Sequence, residues 1–318
     1  MITNVHSGIS RRHFLVSGTL AAAVPLLDPH HLFAEVDGLV ATARKEGAES
    51  KITLQPLRGE VSVLMGSGGN IAVLTGRDGK LLVDAGYAGS RIQIGDALAA
   101  IDSNPIKHLI NTHWHFDHTD GNEWLHSAGA TIFAHENTRK HLSTSTRVKA
   151  WDFTFPPSPP GAIPAEVFTA ERTLDLNRTQ IALKRFAPAH TDGDISVHFA
   201  NADILHVGDT FWNGYYPFID YSTGGSIEGM IRATETTLAK VTEKTVIIPG
   251  HGPVADKSQL RSYCDLLVTV RDKVASLKKQ GQSLDEVLAS KPTASYDSKW
   301  GGGFMSPTMF TRLIFEGV

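Results

Sequence analysis

From residue 52 onward the apolar positions come in short runs rich in β-branched residues, at 52–57, 61–65, 71–74 and 81–83. Runs of that length, separated by turn residues, predict strands and not helices. Gly66-Ser67-Gly68-Gly69-Asn70 and Arg77-Asp78-Gly79-Lys80 supply the turns, the second with an Asp-Gly pair suited to a tight hairpin. The period lengthens at 91–101, which predicts a helix, and shortens again at 106–110. A helix over 121–127, a buried strand over 131–134 and a polar helix over 136–148 follow, while residues 37–47 read as a short polar helix or linker.

The second half repeats the scheme, with apolar runs at 181–186, 204–207 and 246–248. Ser226 caps a helix over 227–241 that carries Ile227, Met230, Ile231, Leu238 and Val241 on one face. Asp256 caps the longest helix, whose apolar residues from Leu260 to Leu277 recur at three- and four-residue spacing until Gly281 stops it. Ser283 and Glu286 form a capping box for a last short helix. Residues 151–164 differ in kind, because aromatic residues interleave with Pro156, Pro157, Pro159, Pro160 and Pro164. Such a stretch cannot hold regular structure and serves either as a pocket wall or as a rigid connector. Two blocks of strands, each followed by helices, make an α+β sandwich of two mixed or mostly antiparallel sheets with helices outside, and we expect residues 35–318 to form it as one domain.

The chemistry concentrates where the run 106–110 ends. His113-Trp114-His115-Phe116-Asp117-His118 packs three imidazoles and a carboxylate together ahead of a helix start expected at Asp120. Residues i and i+2 of an extended segment point the same way, so His113 and His115 can grip one ion while Asp117 and His118 reach toward a second. Partners stand just past other apolar runs: His190 after 181–186, Asp209 after 204–207, and His251 after 246–248. Ligand-type residues at several strand ends, with Gly or Pro beside them, are what a rigid pocket at one sheet edge requires. His126, His135 and His141 stand alone beside regular structure and read as packing or surface.

These residues resemble the metallo-β-lactamase superfamily, whose motif is His-x-His-x-Asp-His followed by a His, an Asp and a His. The resemblance runs from about residue 51 to residue 253 and includes Leu81-Leu82-Val83-Asp84-Ala85-Gly86, similar to the family's early strand ending in an Asp near the metals. It implies a four-layer αββα fold with the metals at one edge. His113, His115 and His190 would hold the first metal, Asp117, His118 and His251 the second, and Asp209 would bridge them. Asp84 would hydrogen-bond a ligand histidine or the motif backbone without ligating.

Such a donor set, with no thiolate, suits two Zn²⁺ ions, although imidazole and carboxylate also accept Fe or Mn. Hydrolysis by a bridging hydroxide is the chemistry that follows, with Asp117 orienting the nucleophile and shuttling its proton. The scissile bond would be an ester, lactone, thioester or amide of a small-molecule substrate. Aromatic residues at 211–218 would line its pocket, and Tyr215 or Tyr216 would donate to the developing oxyanion. Asp209 is similar to the bridging Asp of glyoxalase II and lactonase-type members, whereas zinc β-lactamases usually carry Cys or Ser there. Antibiotic hydrolysis of the β-lactamase type is therefore an alternative, as is a mononuclear iron oxidoreductase of the persulfide dioxygenase type.

Composition narrows this further. The net charge is −3 and no basic cluster is dense enough to neutralise several phosphates, which sets nucleic acid aside. Cys264 is the single cysteine, so neither a disulfide nor a thiolate metal site is available within the chain. Ser10-Arg11-Arg12-His13-Phe14-Leu15 precedes a mildly apolar run over 15–27, too short and too interrupted for a stable membrane anchor. Residues 1–34 therefore read as a twin-arginine signal that engages the twin-arginine export machinery and sends the protein to a bacterial periplasm.

Overall fold

Alternation along the strands decides which layer each side chain joins. The computed structural model describes residues 38–66 and 68–318, so the expected signal over 1–34 lies outside the described residues. Helix α1 (Leu39–Glu49) leads into strands β1 (Thr53–Pro56), β2 (Val61–Met65), β3 (Ile71–Leu74) and β4 (Lys80–Val83). Then come α2 (Arg91–Ile101), β5 (Ile106–Ile110), α3 (Phe116–Thr119), α4 (Asn122–Ser127), β6 (Thr131–His135) and α5 (Glu136–Ser143). Strands β7 (Thr146–Val148), β8 (Phe153–Phe155), β9 (Glu166–Phe168), β10 (Glu171–Leu176), β11 (Thr179–Arg185), β12 (Ile195–Phe199) and β13 (Ile204–His206) follow in sequence. The chain closes with α6 (Ile227–Lys240), β14 (Val246–Ile248), α7 (Lys257–Lys279), α8 (Leu284–Ala289), α9 (Asp297–Trp300) and α10 (Pro307–Gly317).

A 7-stranded sheet has the order β1-β2-β3-β4-β5-β6-β9, and a 5-stranded sheet the order β10-β11-β12-β13-β14. In the first, β1 to β4 meander antiparallel and β4, β5, β6 and β9 run parallel. In the second, only the β13/β14 pair is parallel. Val61, Val63, Ala72, Leu74, Leu81 and Val83 meet Ile181, Leu183, Val197 and Ile204 in the core between the sheets. Their neighbours Leu64, Ile71, Val73 and Leu82 point the other way and pack on Ile94 and Leu98 of α2 and Leu125 of α4. Leu205, Val207 and Ile247 likewise face α6, α7 and α10. Strands buried on both faces read as unbroken apolar runs, and the result is a four-layer αββα sandwich.

Caps hold the outer layer. Asp256 Oδ1 accepts from the backbone N–H of Ser258 and Gln259 while Gln259 returns a bond to the Asp256 N–H, and Ser283 with Glu286 closes a second capping box. Helix α10 escaped the sequence reading, although Ser306 accepts from the Met309 N–H with Pro307 in the first turn, and Phe310, Leu313 and Ile314 are buried at helical spacing. Two other expectations are corrected. The polar helix over 136–148 stops at Ser143, because β-branched Thr144, Thr146 and Val148 favour extended backbone and β7 pairs antiparallel with β8. The stretch 151–164 is thus not wholly irregular; β8 ends at the residue before Pro156, which has no backbone N–H to extend the ladder.

Candidate metal centre

The ligand-type residues converge on one edge of the sandwich because each follows the same end of a strand. Past β5 the chain bends at Thr112 and His113, where the sequence suggested an extended run, and turns into α3 at Phe116, so Asp120 caps the C-terminus of that helix and does not begin one. His113, His115, His190 and Asp209 place ligand atoms within 4.8 Å of one another, and Asp117, His118 and His251 do the same beside them. Asp209 lies between the groups: Oδ2 is 3.4 Å from both His190 Nε2 and His251 Nε2, and Oδ1 is 3.1 Å from His118 Nε2. This approach needs glycine at 250, where a Cβ would stand 1.9 Å from Asp209 Oδ1.

The outward nitrogen of each buried imidazole is tied down, which aims the other one inward. His190 donates from Nδ1 to the Phe218 carbonyl (2.8 Å), His115 from Nε2 to Asp220 (3.1 Å), and His118 from Nδ1 to Asp84 (2.8 Å). His113 Nδ1 lies 3.1 Å from the Thr112 hydroxyl, which itself donates to Asp84 Oδ2 at 2.8 Å. One wholly buried carboxylate therefore orients His118 directly and His113 through Thr112, while also accepting the Thr112 N–H at 2.7 Å. Asp84 holds a left-handed backbone, φ 69°, to reach these partners.

The electrostatics fit cations. Burial and the charge of His118 hold the His113 imidazole well below its usual range. For His118 and His251 burial pulls the same way, but the carboxylates of Asp209 and Asp117 outweigh it and raise both, His251 to about 9. Burial opposes ionisation of Asp209 as well, yet His251, His118 and His190 keep it well below the carboxylate range. His113 Nε2 is buried with no hydrogen-bond partner. A buried orphan nitrogen among imidazoles and carboxylates that otherwise hold protons is what a metal site looks like to its donors.

The family description "Metallo-beta-lactamase superfamily" matches residues 64–255. The chain belongs to that superfamily. Among its relatives is the probable metallo-hydrolase YqgX of Bacillus subtilis, 26% identical over 183 residues that cover 55% of this chain and 81% of that protein. A hydroxyacylglutathione hydrolase of Erythrobacter litoralis is 25% identical over 215 residues, covering 62% and 74% respectively. The crystal structure of DIM-1 metallo-beta-lactamase superposes with a TM-score of 0.54 at 18% identity, over 69% of this chain and 98% of that one, a likeness of fold alone. The protein is a metallo-hydrolase enzyme of the metallo-β-lactamase superfamily.

Other expected residues of this superfamily member fall elsewhere. Tyr216 cannot serve an oxyanion: it is fully buried, stacks on Phe310 and donates to Asp297 Oδ1 at 2.8 Å. Tyr215 packs beside Gly303 and lines a groove with Met65 and Asn70 that adjoins the cavity over the ligands and reaches His251, so it stands at the approach to the centre and not within the cavity itself. His135 lies 3.1 Å from the Thr169 carbonyl and caps α5, and His141 pairs with Asp192 at 2.8 Å. Asp194 accepts from the His190 and Thr191 N–H groups, and burial pushes it up to about 6. Asp220 was missed by sequence reasoning. It stands in Phe218-Ile219-Asp220-Tyr221, which carries no ligand-like spacing, and only the fold brings it to His115.

Proposed function

We propose that this metallo-hydrolase is a binuclear enzyme, with zinc as its native metal, that cleaves an ester, lactone, thioester or amide bond in a small molecule. The observation that carries the reading is Asp209, a carboxylate within 3.4 Å of ligand nitrogens from both groups. When bound, two ions there polarise the scissile carbonyl and yield a nucleophile from water near neutral pH. His113, His115 and His190 would hold one ion, Asp117, His118 and His251 the other, with Asp209 shared. Asp117 lines the cavity floor, where its carboxylate orients the attacking water and carries the proton to the leaving group. Asp84 and Asp220 keep the imidazoles in the tautomer that leaves the inward nitrogen free.

The test is elemental analysis of the purified enzyme joined to a panel of lactone, ester, thioester, β-lactam and phosphodiester substrates. About two equivalents of zinc with turnover of a carbonyl substrate is the expected outcome. One equivalent of iron without hydrolysis would transfer the protein to the dioxygenase reading.

We propose further that residues 1–34 direct twin-arginine export to the periplasm, a reading supported by Arg11-Arg12 before the weak apolar run. Among the described residues no helix is long and apolar enough to cross a membrane. Export of a reporter fused to residues 1–40 should be blocked by Arg11→Lys with Arg12→Lys, and undiminished export of that double variant would refute the proposal.

A further inference from the structure

Above the ligand groups lies a cavity of about 280 Å³, and its walls come partly from outside the segment that matches the family. Helix α1 contributes Leu39, Ala43 and Glu46, the loop before α10 contributes Phe304, and Trp151, Trp212 and Phe218 add aromatic walls, while past Glu46 and Phe304 the cavity opens into the groove lined by Tyr215. Trp151 stacks on Phe218 with ring centroids 4.7 Å apart, and Trp212 lies 4.3 Å from the His251 ring, so the aromatic wall rests directly on the ligands.

Helix α1 is docked by specific contacts. Arg44 forms a two-pronged ion pair with Asp120 at the end of α3, at 2.6 and 2.9 Å. Gly47 lies flat on the Tyr87 ring, where a Cβ would come within 1.9 Å, and its carbonyl accepts from the Ser90 hydroxyl at 2.7 Å. Gln93 donates to the Ala48 carbonyl at 2.7 Å. These contacts set α1 over the centre as a wall at a fixed distance.

Among the described residues no lysine or arginine lines this cavity, and beyond the ligand-type residues the one acidic or basic side chain there is Glu46 at the rim. Cations at the floor would draw the reacting group. A second anionic charge held between these walls would instead lie against tryptophan and leucine, and one reaching the mouth would meet Glu46. Burial of an unpaired carboxylate in such surroundings outweighs a distant, screened attraction. We propose that helix α1 selects a neutral substrate, an ester or lactone with an apolar acyl or alkyl group, and rejects substrates that carry a remote carboxylate. This deepens the reading given under Proposed function and rests on it for the bond cleaved.

The test compares, on the zinc-loaded enzyme, a phenylalkanoate ester with the same ester bearing a terminal carboxylate. A non-hydrolysable phenylalkyl ketone, followed by calorimetry, reports binding alone. The neutral ester should be favoured at least about tenfold in kcat/KM. Glu46→Lys should narrow that preference by about threefold or more, because it reverses the rim charge at an exposed helix position. Leu39→Asp should lower both kcat/KM for the neutral ester and ketone affinity by about tenfold, with zinc content retained. Asp in the first turn suits the helix, so α1 itself should survive the change. Equal rates on the two esters, or ketone binding unmoved by Leu39→Asp, would overturn the inference. Ketone binding that is lost in Leu39→Asp, in an enzyme that hydrolyses no ester, would sink the hydrolase reading and leave the apolar pocket standing.

Discussion

Each carboxylate around the centre does a different job, and substitution separates them. Asp209 offsets the repulsion of two cations, so Asp209→Ala should bind close to one metal per chain and lose most hydrolysis while keeping its fold. Metal analysis beside circular dichroism checks this; two equivalents with near-normal rates would show that Asp209 is not the shared ligand. Asp84 orients His118 directly and His113 through Thr112, whereas Asp220 orients His115 alone. Losing such a partner typically costs about 10- to 100-fold in metal affinity. Asp84→Asn should therefore weaken metal binding at both positions and Asp220→Asn at one, a difference that competition with a chromogenic chelator reads out. Equal and small losses in the two variants would mean that the imidazoles are held by packing alone.

At the scale of the element, the caps and the docked helix are separable too. Asp256→Ala removes the acceptor for two backbone donors at the start of α7 and should cost about 1 kcal/mol of stability without moving metal content or kcat/KM. Arg44→Ala should do the reverse. Its ion pair is partly exposed and worth little to stability, but it anchors the wall of the cavity, so substrate preference should shift before the melting temperature does. Thermal melts and the ester pair, measured on both variants, check the contrast. These elements also mark what the sequence makes legible. Helix α7 announced itself through Asp256, its apolar spacing and Gly281, and the ligand residues through their places after apolar runs, because both signals are local. Strand β7 and the role of Asp220 were not legible, since β7 owes its identity to pairing with β8 and Asp220 owes its role to a partner 105 residues away. Tyr216 was misread for the same reason: an aromatic beside a ligand looks the same in sequence whether it faces the cavity or the α10 layer.

For the whole molecule, protons and metal compete for one centre, and that fixes how stability varies with pH. In the metal-free chain Asp209 and Asp117 raise His251 to about 9, above the value of about 6.5 of an unfolded histidine. A raised folded-state value contributes stability that is complete below about 6.5 and is lost as pH climbs through about 9. Metal requires the same imidazole neutral, so its apparent affinity rises across that window as fewer protons must be expelled. Stabilisation by a bound ligand grows with the logarithm of its concentration over its dissociation constant. The difference in melting temperature between metal-loaded and chelator-treated enzyme should accordingly widen from about pH 6.5 to about pH 9, the metal-free form softening while the loaded form holds. Asp194, pushed up to about 6 by burial, titrates below this window and so adds little to the difference. Differential scanning calorimetry of the two forms at several pH values measures the gap directly. Calorimetric titration of metal in buffers of different ionisation enthalpy should show protons released near neutral pH, fewer as pH rises. A gap that stays constant or narrows would mean that the proton held by His251 and the bound metal do not exclude one another.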